Sequence, residues 1–280
     1  MIKKYSAYIF ILITLFAAGS CQNSFQRISK SGDLDLKMSK AKEYYEKKEY
    51  LKAIPLLEEL ITIYKGSRNI DDLYWMYAKS HYEQAEYLIA SFHFKNIFDS
   101  YPNSKYAEES LYLNAVCYQR LSPKPDLDQE FTLKAIEYYQ LFINAYPNSE
   151  KVTDCNNNMK VLRRKLDNKA FNSAQLYFKT KQYKAAATAF QNMMKEYPDS
   201  QDLEKAAYLA IKSYYLYARN SIITKQAERY EMTVNAYRNF KMDYPNSKFI
   251  KDAEEYYNNA LKNIDKLNTQ SHVSEKKRIN

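Results

Sequence analysis

Glycine is nearly missing from this 280-residue chain: there are three, and one of them, Gly19, lies in the N-terminal leader. Loops that cradle phosphates need several glycines at close spacing, so such nucleotide sites are excluded. Alternating Val, Ile and Thr runs are equally hard to find. Ala, Leu, Lys, Glu and Tyr recur at helical spacing instead, and the chain reads as all-α. Histidine is scarce too. Of the three, His81 stands where a packing aromatic is expected, His93 is isolated and His272 lies near the C-terminus. No nucleophile, base and orienter assemble from these, so no catalytic residue is assigned. Cys117 and Cys155 sit inside helical patterns without metal-ligand spacing and read as small buried residues, with a disulfide as the alternative in an oxidising compartment. No metal or cofactor is expected. The formal charge of +9 is spread along the chain. Nucleic acid would want it clustered, so the modest inference is weak attraction to acidic lipid or protein partners.

Long apolar runs are also lacking. The longest, in "MIKKYSAYIFILITLFAAGSC", has about a dozen residues, too short to span a bilayer comfortably and laid out like a secretory signal. Residues 1–20 are therefore expected to be a signal peptide. The small residues before Cys21 resemble the lipobox of bacterial lipoproteins, with Ala18 where the usual pattern has Leu. On that resemblance Cys21 is the lipid-attachment site; otherwise the stretch is an ordinary signal and Cys21 is incidental. Acyl chains anchor stably when two or more are present, since each buried methylene contributes about 0.8 kcal/mol. Loss of Lys3 and Lys4 with the leader lowers the formal charge from +9 to +7.

What the chain does have is a repeated word. "YPNS" occurs at Tyr101–Ser104, Tyr146–Ser149 and Tyr244–Ser247, with "YPDS" at Tyr197–Ser200, giving intervals of 45, 51 and 47 residues. Proline stops an arriving helix, Asn or Asp tolerates the turn, and Ser offers its hydroxyl to the next helix as an N-cap. Acidic residues follow at Glu108, Glu109, Glu150, Asp202 and Asp252, where a helix dipole favours them. Each word thus reads as helix stop, turn, helix start.

A second layer of order lies behind each Tyr-Pro. Ala90, Ala135 and Ala186 each stand twelve residues before a proline, followed at four and seven places by Phe94 and Ile97, Tyr139 and Phe142, Phe190 and Met193. This rhythm of small and large side chains suits antiparallel helices in close approach. It resembles the tetratricopeptide repeat. A first copy keeps Ala41, Ala53, Leu57 and Leu60 and writes "YKGS" for "YPNS", with Pro55 near a tolerant first-turn position. The fifth replaces the alanine by Thr233. The expectation is a right-handed superhelix, an α-solenoid, of about five helix pairs plus a C-terminal capping helix. Its parts are a lipidated linker at 21–33, repeats 1–3 at 34–148, repeats 4–5 with a long connecting helix and the cap at 149–267, and an unstructured basic tail at 268–280.

First helices line the concave wall of such a solenoid. With Ala41, Ala78 and Ala115 equivalent at a spacing of 37, the wall positions read Asp35, Asp72, Glu109; Met38, Trp75, Tyr112; Tyr45, Tyr82, Gln119; and Lys42, Lys79, Val116. Met38, Lys42, Tyr45, Trp75, Lys79, Tyr82 and Tyr112 form the candidate peptide groove: aromatic faces beside cations, suited to a peptide with an aromatic residue and a free carboxylate. Aromatics at repeat spacing suit a core equally well.

A lipidatable cysteine, a short linker and five such repeats resemble the BamD family. The resemblance is carried by "CQNSFQRISKSGDLDLKMSKAKEYYEKKEYLKAIPLLEEL", "DLDQEFTLKAIEYYQLFINAYPNS" and "VLRRKLDNKAFNSAQLYFKTKQYKAAATAFQNMMKEYPDS", with the Asp128-Gln129 loop and the long helix as its more diagnostic parts. It implies a non-enzymatic subunit of the β-barrel assembly (BAM) complex, held by lipid to the periplasmic face of the outer membrane. The N-terminal repeats would receive targeting segments of unfolded barrel proteins, and the C-terminal repeats would dock on BamA beside other BAM subunits. The alternative is another envelope repeat protein, a Tol-Pal-associated factor or a glycan-uptake lipoprotein. The first usually lacks a lipobox, and the second usually carries Trp- and Gly-rich insertions.

Overall fold

The computed structural model describes residues 25–67 and 70–279. The signal peptide and Cys21 lie outside the described residues. A short helix, α1 (25–29), precedes five helical hairpins. They are α2 (Leu34–Glu46) with α3 (Tyr50–Ile63), α4 (Ile70–Glu83) with α5 (Tyr87–Ser100), α6 (Ala107–Leu121) with α7 (Glu130–Ala145), α8 (Val152–Lys179) with α9 (Tyr183–Glu196), and α10 (Leu203–Arg219) with α11 (Ile223–Asp243). A final helix, α12 (Ile250–Ile279), closes the chain. No strand occurs among the described residues.

The small-large rhythm is the packing code. Ala41, Ala53, Ala78, Ala90, Ala115, Ala135, Ala174 and Ala186 are all fully buried, as are Phe94, Tyr139, Phe142 and Phe190. A methyl at these positions lets two helix backbones approach closely, and the large residue four places on fills the neighbour's groove. Hairpin 5 keeps the code despite its substitution: Thr233 is fully buried, followed by buried Tyr237 and Phe240.

The chain divides into two compact units. Unit 1 is the chain to Pro123 with Gln129–Leu162; unit 2 is Lys124–Asp128 with Arg163 onward. The division falls inside α8 rather than at 148/149. Cys155, Met159 and Leu162 belong to the core of hairpin 3, while Phe171 and Ala174 pack with Ala186, Phe190 and Met193 of α9. At 28 residues α8 is long enough to serve both cores. Within unit 2, Lys169 Nζ donates to the Leu127 carbonyl at 2.6 Å, tying the long helix to the loop after α6.

Four expectations are corrected. The described part of the expected linker, 25–33, is not bare: α1 packs Phe25 and Ile28 on the first core, with the Phe25 ring 6.0 Å from Tyr44. The tail from Asn268 is not unstructured, because α12 continues to Ile279 through a stretch with no glycine or proline and with Glu, Lys and Arg as good helix formers. Pro55 lies beyond the first turn of α3, which begins at Tyr50. The hydrogen bond it removes would have gone to Leu51, a residue at the solvent face, so the freed carbonyl can be hydrated. His93 is not isolated: its ring meets Tyr77 edge-on at 4.7 Å and stacks 6.2 Å from His81.

Where glycine would be expected, the chain does without it. In the turns of hairpins 1, 2 and 4, Lys48, Ala85 and Lys181 adopt φ of 61°, 59° and 62°. Each is a Schellman turn: for example Glu86 N–H bonds to the His81 carbonyl and Ala85 N–H to that of Tyr82. Gly66, at φ 86°, stands in the first repeat where the other repeats have a Pro-Asn or Pro-Asp turn.

Candidate functional site

The serines of the repeated word do more than start helices. Ser104, Ser149, Ser200 and Ser247 each accept the amide two residues on, at 3.0–3.2 Å. The following helices begin three residues after the serine, so it closes a serine turn before the helix rather than serving as N-cap. Its hydroxyl proton goes elsewhere. Ser104 donates to Asp71 at 2.6 Å, Ser149 to Glu108 at 2.6 Å and Ser247 to Glu204. Each acceptor lies in the first turn of the preceding hairpin's first helix, so the word is also a staple between neighbouring hairpins.

At the three stapled words the residue two places after the serine also covers an aromatic of the preceding hairpin. Tyr106 stacks on Trp75 at 4.7 Å and 7°. Lys151 sits 5.5 Å from the Tyr112 ring centre. In unit 2, Phe249 stacks on Tyr208 at 4.7 Å and 8°. The wall aromatics are therefore covered on one side by the chain itself.

Within unit 1 the structure gathers Tyr45, Trp75, Lys79 and Tyr82 into one network. Tyr45 is half-buried, meets Tyr50 edge-on at 6.0 Å and has the Trp75 indole as a hydrogen-bonding neighbour; burial pushes its pKa up to about 12. Trp75 also tilts against Phe94 at 5.7 Å. The Tyr106 hydroxyl donates to Asp72 at 2.8 Å, and Lys105 reaches the same carboxylate at 3.1 Å. Burial works against ionisation of Asp72, but Tyr106 and Lys105 hold its carboxyl below the usual range. Lys79 pairs with Glu83 at 2.7 Å and lies 4.6 Å from the Tyr82 ring centre. Tyr82 meets Tyr87 at 5.5 Å.

Met38 and Tyr112 are half-buried as well. Met38 packs on the core of hairpin 1, while Tyr112 packs between two cores and meets Phe142 at 5.8 Å. Gln119 donates to Asn158 and accepts from the Tyr139 hydroxyl, so the third column ends in a buried polar chain rather than an open ring. Lys42 is exposed and makes no ion pair among the described residues; Asp72 feels its charge. The two lysines are thus unequal. Lys79 is committed to Glu83 and Tyr82, and Lys42 is exposed with no ion pair among the described residues.

Cys117 and Cys155 are buried free thiols, pushed by burial to about 12 and about 11, so neither forms an accessible thiolate nucleophile. His81 is buried, bonded through Nδ1 to Glu86 at 2.5 Å and packed edge-on against Tyr77 at 4.5 Å. No group of three or more His, Cys, Asp or Glu among the described residues is placed to hold a metal, and no described helix is long and apolar enough to cross a membrane.

The sequence pattern did not single out the residues that close the wall, Tyr106, Lys105 and Lys151. The signal for them was their place one or two residues after the serines of the words at Ser104 and Ser149.

The family model described as outer membrane lipoprotein, YfiO, matches residues 37–229. Outer membrane protein assembly factor BamD of Caulobacter vibrioides is 25% identical over 114 residues. That stretch is 41% of this chain and 37% of the relative, little more than a third of its length. Among solved structures, the TPR2AB-domain:pHSP90 complex of yeast Sti1 aligns over 81% of this chain and 98% of its own, at 17% identity and a TM-score of 0.38. The TPR domain of P58(IPK) aligns over 82% and 66%, at 14% identity and 0.39. The family match runs from α2 into α11, well over half of the molecule, and this chain belongs to the outer membrane lipoprotein family YfiO.

Proposed function

We propose that this outer membrane lipoprotein is a non-enzymatic adaptor of the β-barrel assembly complex. Its first three hairpins receive the targeting segments of unfolded barrel proteins, and its C-terminal hairpins dock on BamA. A lipid on Cys21 tethers it to the periplasmic face of the outer membrane. The observation that carries the reading is the wall of unit 1: Tyr45, Trp75 and Tyr82 half-buried on adjacent first helices, with Lys42 unpaired beside them. Aromatic rings held on one face offer the other to a client at little entropic cost, and an unpaired ammonium suits a chain-terminal carboxylate. The family match and the resemblance to an assembly factor support the same role.

One experiment separates this from a Tol-Pal-associated or glycan-uptake lipoprotein. The tagged full chain is purified from detergent-solubilised envelope, as wild type and as Trp75→Ala/Tyr82→Ala. BamA recovered in stoichiometric amount with both, and unfolded barrel precursors roughly tenfold depleted with the variant, is the expected result. Recovery of Tol-Pal or glycan-uptake proteins in place of BamA overturns the assignment. Undiminished precursor recovery by the folded variant overturns the groove.

A further inference from the structure

Unit 2 contains a cavity of about 740 Å³ bounded by the end of α8, the start of α9 and the α10–α11 turn. Tyr177, Tyr183 and Tyr217 line it together with Lys181, Lys184 and Arg229. None of its lining residues is acidic. The reason is visible in the sequence: residues 168–195 and 205–227 contain no Asp or Glu, and these two tracts supply all of the cavity's wall except Arg229. Lys181 and Lys184 make no ion pair among the described residues. Arg229 lies 4.3 Å from the Tyr217 ring centre, donates to the Ser221 hydroxyl and makes no ion pair among the described residues. Three cations lining one open recess without a paired counter-charge among the described residues raise the local positive potential.

We propose that this cavity docks an acidic polypeptide segment. Its volume lies within the usual range for specific ligand sites. The tyrosines give flat apolar faces. Gln182, Asn192 and Asn220 offer amides that both donate and accept, which matches a peptide backbone better than a bare anion. Leu176 and Ile222 are strongly exposed and adjoin the lining residues Tyr177 and Ser221 along the chain, so a segment alternating acidic and apolar residues can set carboxylates against the cations and apolar side chains against these aliphatics. This site shares no residue with the unit 1 wall.

The test is fluorescence anisotropy of the full chain with a labelled decapeptide of alternating Glu and Leu. The same peptide with Gln for Glu and phosphatidylglycerol vesicles serve as comparison ligands. The Glu peptide is expected to bind, more weakly as salt rises, and Lys181→Asn/Lys184→Gln is expected to weaken it roughly tenfold without lowering the melting temperature. Asn is used at 181 because it tolerates the left-handed backbone there. Trp75→Ala/Tyr82→Ala, which disables the unit 1 wall, should bind the decapeptide like wild type. Equal binding of the Gln peptide, or unchanged affinity in the lysine variant, overturns the proposal. Lysine-dependent capture of vesicles without peptide binding overturns it in favour of a lipid head-group site.

Discussion

The two units are built from the same hairpin and spend their lysines differently. In unit 1 cations are neutralised locally: Lys37 grips Glu59 across hairpin 1 at 2.6 Å, Lys95 pairs with Asp99, and Lys151 with Glu109. In unit 2 Lys205 stands near Phe171, Lys212 near Phe178 and Lys248 near Phe249 with no ion pair among the described residues, whereas unit 1 lysines that stand over rings, Lys95 and Lys151 among them, are also paired with a carboxylate. An ammonium paired with a carboxylate leaves no net charge, whereas one resting on a ring keeps its charge. Identical repeat architecture thus yields an aromatic wall with one unpaired lysine in the first unit and a cationic recess in the second. Charge placement on solvent-facing positions, which packing does not constrain, differentiates the halves.

The comparison predicts equivalence in the cores. Phe94 and Phe190 occupy the same place, four residues after the packing alanine, and both are fully buried. Phe94→Ala and Phe190→Ala should each cost about 3–5 kcal/mol, and hydrogen exchange should show the loss concentrated in the unit that carries the change. Uniform loss of protection along the chain in either variant would mean that the units do not unfold separately.

The left-handed turns give a smaller effect of opposite sign. Ala85→Gly in unit 1 and Lys181→Gly in unit 2 relieve the same backbone conformation, so each should stabilise its unit by about 1 kcal/mol in denaturant titration. A gain in one unit only would show that the two turns are held differently.

A pH-dependent effect belongs to unit 1 alone. Burial first, and then the neighbouring His81, lower the pKa of His93 from 6.5 to about 4. Between those values the unfolded chain binds a proton that the folded one refuses, so stability falls as pH drops from about 6.5 to about 4. His93→Phe should flatten that slope, with the pH dependence of unit 2 unchanged. A melting-temperature profile that keeps its slope in the variant would assign the effect to other groups.

Some of this molecule was legible before any coordinates. Proline and the residue before it impose helix ends wherever they occur, and alanine twelve places upstream is a local pattern, so the hairpins and their buried faces followed from sequence. Cys117 and Cys155 as buried apolar residues followed too, since position on a helical face settles burial. The equivalence of Ala41, Ala78 and Ala115 at spacing 37 was legible as well, since equivalent positions on repeated helices share a face and all three are fully buried.

Tertiary structure alone decided the rest. The serine hydroxyl's reach to an acid of the preceding hairpin depends on how neighbours stack, and so do Tyr106 over Trp75 and Lys79's commitment to Glu83. The cavity of unit 2 arises because two acid-free tracts, separated by a turn and a "YPDS", are brought side by side. Periodicity along a chain reports which way a side chain faces. Which partner it meets there is set by contacts between residues far apart in sequence, and those only packing can reveal.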